Sequence, residues 1–313
     1  MKSIQSWRLW QSQVNGVWHG RWDSDLNQAT QNSGFQLVMM PLFIGLVCLG
    51  MTACSSSSNS QALKADQKKL VLTGSSTVAP LAGELAKRYE AQHPGVRIDV
   101  QSGGSSRGIT DTRQGTADIG LVSRTLKLDE KDLQAFTIAQ DGVSIILHKS
   151  NPIAQLSDSQ ILSIYTRKIT NWQAVGGKDA PITVVNKAEG RSTLELFAKY
   201  FKLELKEIKA DAVIGDNAQA IKLVAGNSNA IGYVSIGTAE YEATHGTPIK
   251  LLPIKGVKAT TANVANGTFP ISRPLNLVTK ATPTGLSKKF IDFTQAKANE
   301  DLVKAQYFVP LAR

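Results

Sequence analysis

Thr73-Gly74-Ser75-Ser76-Thr77-Val78-Ala79-Pro80 sets small hydroxyl residues between an apolar run, Leu70-Val71-Leu72, and a run whose Leu81, Leu85 and Tyr89 recur at helical spacing. The order is strand, hydroxyl loop, helix, and Pro80 suits the first helical turn. A helix start leaves backbone N–H groups without intrahelical partners, and the helix dipole adds partial positive charge there. An oxyanion satisfies both. Taken alone, the stretch fits an ordinary strand-to-helix connection with a Ser/Thr N-cap as well as an anion cradle.

The neighbouring chain repeats the pattern. Pro94-Gly95 is a break, Val96, Ile98 and Val100 alternate as a strand, and Ser102-Gly103-Gly104-Ser105-Ser106-Arg107-Gly108 leads into a helix from Ile109. Ala117 to Val122 reads as a third strand that closes on Ser123-Arg124-Thr125. Three strand ends thus carry hydroxyl or Arg donors, and ligands of open α/β sheets gather at the carboxyl ends of strands. The alternative is three Ser-rich turns with solvated hydroxyls. A fourth cradle follows Ile182 to Val185: Asn186-Lys187-Ala188-Glu189-Gly190-Arg191-Ser192-Thr193 opens a helix whose Leu194, Phe197 and Phe201 share a face. It brings Lys187, Arg191, Ser192 and Thr193 to the helix start, unless it is a solvated basic turn capped by Thr.

Between these cradles, Gly142 to His148 is an apolar run expected to leave the first lobe, and Ser157-Asp158-Ser159-Gln160 has capping-box spacing before a new helix. Asn217 to Ala225 suggests another helix and Ile231 to Val234 another strand. Ile249 to Ile254 and Leu275 to Val278 are candidates for returning the chain to the first lobe, which Leu286, Phe290, Phe293 and then Val303 to Tyr307 would cover as terminal helices.

With 313 residues and 42% hydrophobic content, the chain can bury a large core in about two compact units. Its formal charge of +10 invites a nucleic-acid reading, but the lysines are scattered, no basic block interleaves with aromatics, and no zinc-finger spacing appears. Anionic small molecules or an anionic surface fit better. Cys48 and Cys54 are the only cysteines, so the body has no disulfide and no cysteine metal site. Phe35 to Ala53 is apolar and runs into Met51-Thr52-Ala53-Cys54, which resembles a bacterial lipoprotein signal peptide, with Cys54 as the lipidated residue; a short membrane anchor or a buried helix is the alternative. Residues 1–34, with Trp7, Trp10, Trp18 and Trp22, do not fit a signal, and a misassigned start codon would account for them. The expected division is an extension with signal at 1–53, a flexible tether at 54–67, one lobe from 68–148 plus 246–313, and a second at 149–245.

An enzyme would make Ser76 or Ser105 a nucleophile and would need a general base. His93, His148 and His245 each sit in a turn or at a strand end without a nucleophile motif, and no metal-ligand cluster is visible. A binding module is the simpler reading, with a phosphatase-like enzyme or a surface adhesin as alternatives.

GSSTVAPL, SGGSSRGI, ADIGLVSR, NKAEGRST, AIGYVS and QYFVPL, in that order over Lys68 to Arg313, resemble the phosphate-binding proteins of bacterial phosphate ABC transporters. The resemblance implies a two-lobed type II periplasmic binding protein fold of class α/β, each lobe a central sheet flanked by helices, with the ligand cleft between lobes. It also implies an extracytoplasmic monomer that needs no cofactor or metal, captures phosphate or a related oxyanion, docks on an ABC transporter permease and, through Cys54, is lipid-anchored to a membrane. Carried over, the first loop supplies Ser75, Ser76, Thr77 and the Val78 amide, and the second supplies Ser105, Ser106 and Arg107. Ser123 stands where some members have an aspartate that accepts the proton of hydrogen phosphate, and Arg124 is expected to neutralise the anion directly. In the fourth loop Lys187 replaces an Arg, and Gly190-Arg191-Ser192-Thr193 replaces Gly-Ser-Gly-Thr. Glu189 or a backbone carbonyl is expected to accept the ligand's proton.

Overall fold

Residues 68–312 are described in a computed structural model, all within the unit Gln61–Arg313. The N-terminal extension, the apolar run, Cys54 and the Ser-rich tether lie outside the described residues. The chain opens as the expected βαβαβ run: β1 (Lys68–Gly74), α1 (Ala79–Gln92), β2 (Val96–Ser102), α2 (Ser105–Gln114) and β3 (Ile119–Val122). β1 lies between β2 and β3 and parallel to both. The helical spacing of Leu81, Leu85 and Tyr89 places all three in the core beneath α1.

A single long strand then joins the two halves. β4 (Gln134–His148) has 15 residues, enough to run about 50 Å. Its first part, Gln134 to Gly142, pairs antiparallel with β9 (Ser272–Thr279); its second, Val143 to Leu147, pairs antiparallel with β7 (Ala230–Ser235), and its end with β8 (Ile249–Leu251). Beyond β7 come β5 (Thr183–Lys187) and β6 (Ala212–Ile214), so the strands follow the path β2-β1-β3-β9-β4-β7-β5-β6. Helices α3 (Asp158–Tyr165), α4 (Ser192–Phe201), α5 (Asn217–Gly226), α6 (Ile236–Thr244) and α7 (Thr261–Ala265) accompany the second half. The last helices, α8 (Gly285–Thr294) and α9 (Glu300–Ala305), return to the first. No helix among the described residues is long and apolar enough to cross a membrane.

The apolar side chains separate accordingly. One core gathers Leu70, Leu72, Leu85 and Ile98 with Leu275 and Leu277 of β9 and Phe290 of α8, and Tyr89 meets Phe290 and Phe293 edge-on. The terminal helices α8 and α9 pack on this core through Phe290, Ile291 and Val303. The other core holds Val143, Ile145, Trp172, Phe197 and Tyr233, with Phe197 stacked on Tyr233 at 4.0 Å. Ser157 and Gln160 form the reciprocal cap read from their spacing: the Ser157 amide donates to Gln160 Oε1 at 2.8 Å and the Gln160 amide to Ser157 Oγ at 3.2 Å.

Two expectations are corrected. Gly142 to His148 is not an exit from the first core but the far half of β4, packed in the second, because its register partners are β7 and β8. Ile249 to Ile254 also stays with the second core, and β9 alone returns. The cores therefore change at Gly142/Val143 and Ile271/Ser272, inside or beside continuous strands, rather than at 148 and 246.

Candidate functional site

The hydroxyl loops converge where β4 and β9 pass between the two cores. Gly74 ends β1 with a φ of +135°, and a Cβ there would lie 2.3 Å from the Leu121 carbonyl, so the first loop needs glycine to lie against β3. Ser75 Oγ then accepts from the amides of Thr77 and Val78 at 3.2 and 3.4 Å, closing the turn that leads into α1. With both lone pairs engaged, its hydrogen goes to Ser123 Oγ at 2.9 Å. The amides of Gly103 and Gly104 donate to the Gly74 carbonyl at 2.7 and 2.8 Å, which ties the second loop to the first. Ser105 is buried, and its hydroxyl accepts from the Ser123 amide at 3.2 Å.

At the centre stands Arg273, the second residue of β9, fully buried beside its register partner Asp141 on β4. Nε and Nη2 donate to Asp141 Oδ2 at 3.2 and 2.8 Å, and Asp141 Oδ1 accepts from the Gly237 amide at 3.1 Å. Nη2 also donates to Thr77 Oγ1 at 3.1 Å, while Nη1 donates to Thr193 Oγ1 at 3.0 Å and Ser123 Oγ at 3.3 Å. Thr77 additionally accepts from Asn217 Nδ2 at 3.1 Å. The hydroxyl oxygens of Thr77 and Ser123 each accept two hydrogen bonds, so their own hydrogens remain to donate. Ser192, also buried, has no hydrogen-bond partner for its hydroxyl among the described residues. The arrangement is a set of obligatory donors around one guanidinium, suited to an oxyanion.

The sequence-predicted residues divide. Thr77, Ser105, Ser123 and Thr193 come together; Ser75 supports them as donor to Ser123, its oxygen takes the Val78 amide, Ser192 is buried next to Thr193 in sequence, and Ser76 is half-buried. The Ser106 amide donates to the Gly190 carbonyl at 3.1 Å, joining the second loop to the fourth. Arg107 does not join the site: it is exposed and turns to Asp111 at 3.1 Å, its neighbour one helical turn on. Arg124 does not face the hydroxyls either, because Glu130 holds it through two hydrogen bonds of 2.6 and 2.7 Å. Burial pulls the Arg124 guanidinium down, but Glu130 and Glu195 outweigh it and raise it above the ordinary arginine range. Lys187 is buried and donates to the Asp216 carbonyl at 2.6 Å and Asn217 Oδ1 at 3.0 Å, so it orients Asn217 toward Thr77. Burial holds its ammonium well below the ordinary lysine range; Asp216 opposes, and Arg273 and Arg191 add to the lowering. Glu189 is exposed and is not placed to accept a proton from a buried ligand. Arg191 is half-buried with its aliphatic stem against Gly104.

Sequence reasoning missed Arg273, Asp141 and Asn217. The first two carried a signal, each being the lone Asp, Glu, Lys or Arg of a mostly buried strand, where burial demands a partner. The described histidines do not bond the loop hydroxyls: His93 stacks on Tyr89, His148 meets Ser150, and His245 stacks on Tyr241. Among the described residues no group of His, Cys, Asp and Glu could hold a metal ion.

A family model described as a PBP superfamily domain matches residues 59–297. The phosphate-binding protein PstS of Bacillus subtilis is 30% identical over 290 residues, which span 88% of this chain and 94% of the relative. Among solved structures, a putative phosphate ABC transporter substrate-binding protein with bound phosphate from Clostridium perfringens is 34% identical with a TM-score of 0.73, covering 78% of this chain and 100% of that one. An ABC-type phosphate transport receptor from Vibrio cholerae is 30% identical with a TM-score of 0.62, over the same 78% and 100%.

Proposed function

The chain belongs to the phosphate-binding proteins of the PBP superfamily, and from that premise we propose that its buried donor set captures inorganic phosphate between two lobes. It is an extracytoplasmic solute-binding protein, not an enzyme, and it serves an ABC transporter. The observation that carries the ligand reading is the acceptor-saturated pair Thr77 and Ser123: hydroxyls forced to donate select an anion over a neutral or cationic solute. Ser105, Ser192 and Thr193 complete the shell, and Arg273 supplies the positive charge. Asp141, which reaches the centre of the site and accepts only one bond at Oδ1, is the group we assign to take the proton of hydrogen phosphate.

The lobes in this reading are 68–142 with 272–312, and 143–271. Cys54 carries the lipid, residues 55–67 tether the body to the membrane, and the protein works as a monomer. Titration calorimetry of the protein with phosphate, sulfate and arsenate tests the ligand. One phosphate per chain is expected, with sulfate weaker; no heat with any oxyanion overturns the reading. Thr77→Val should weaken phosphate about tenfold, since it removes one donor and strands two others.

A further inference from the structure

Arg124, Lys127 and Glu195 form a contact that the ligand site does not use. Glu195 stands in the first turn of α4, in the second lobe, and Arg124 and Lys127 follow β3 in the first. Glu195 Oε2 lies 2.9 Å from Arg124 Nε, and Glu195 Oε1 accepts from Lys127 Nζ at 3.2 Å. The Arg124 Nε–H has no aligned acceptor, so its contact with Glu195 is ionic rather than a hydrogen bond. Among the described residues, the other ion pairs lie within one lobe or join β4 to β9 at the crossing.

We infer that Glu195 is a positioning residue, an electrostatic latch that holds the lobes shut over the bound anion and slows its release. Glu130 belongs to the same lobe as Arg124 and grips it through two hydrogen bonds, with the Lys127 amide donating to Glu130 Oε2 at 2.8 Å. That grip persists whether the lobes are open or closed. Arg124, Lys127 and Glu130 together leave one positive charge over, which Glu195 meets only on closure. An interaction made in one state alone shifts the balance between the states. Arg124 is 7% and Glu195 24% exposed in their side chains, so solvent screens the pair only in part.

The inference rests on the two-lobed capture reading, and its test separates the two. The full chain and its Glu195→Gln variant are loaded with radiolabelled phosphate and chased with unlabelled phosphate, while hydrogen exchange is followed at the Ser106 amide, whose acceptor is the Gly190 carbonyl of the other lobe. Glu195→Gln should release phosphate about twofold to fivefold faster, the scale of partly exposed ion pairs such as those with Arg124 and Lys127. It should leave the association rate nearly unchanged and speed exchange at Ser106. Raising salt should accelerate release from the unaltered protein more than from the variant. Glu204→Gln, which breaks a pair with Lys206 inside the second lobe, should do neither. Unchanged release and unchanged Ser106 exchange in Glu195→Gln overturn the latch. If the unaltered protein binds no phosphate, the capture reading fails, and Ser106 exchange alone still decides the latch.

Discussion

Arg273 and Asp141 stand directly opposite each other on β9 and β4, with side chains 0% and 1% exposed. A buried ion pair contributes little net stability, but removing one partner leaves an uncompensated charge. Arg273→Met alone should therefore lower the unfolding free energy by about 3–5 kcal/mol, measured by urea denaturation. Adding Asp141→Asn should recover a large part of that loss without restoring phosphate binding in calorimetry. Recovery of both would make the arginine structural only. The same residues mark the limit of sequence reading. Arg124 and Arg107 were visible beside the loops as cations, but a cation's direction depends on the nearest carboxylate. Glu130 and Asp111 claimed them, while Arg273 came from 150 residues after Ser123 to take the central place.

At the scale of elements, the repeated strand, loop and helix was legible because each part obeys a local rule. Alternating or continuous apolar runs make strands, small residues allow the turn, and Ser or Thr satisfies the helix start. In the opening stretch Ser75 Oγ accepts from the amides of Thr77 and Val78 ahead of α1 and so directs its own hydrogen to Ser123. Gly108 sets how closely α2 approaches the sheet, since a Cβ there would lie 2.7 Å from the Thr73 carbonyl and 3.0 Å from that of Leu121. Gly108→Ala should push α2 and Ser105 away from β1 and β3, lowering both stability and phosphate affinity. Unchanged affinity in the folded variant would mean that Ser105 does not depend on this packing.

For the whole molecule, the continuous strand β4 and the segment leading into β9 carry the chain between the cores, and bonds such as Asn217 to Thr77 and Ser106 to Gly190 draw the two halves together. In the proposed reading, ligand binding and closure are linked. Phosphate at about 100 times its Kd should raise the unfolding free energy by about 2.7 kcal/mol, read from denaturation with and without ligand, and should make the protein more compact in solution scattering. A rise without compaction would place the anion in a site that does not need closure. By itself the sequence determined the α/β class and the hydroxyl loops at strand ends. These follow from local spacing and residue chemistry. Only the tertiary structure decided where the cores change, which cation faces the hydroxyls and which is held by carboxylates. Those outcomes depend on strand register and on partners far apart in the chain, which no local pattern encodes.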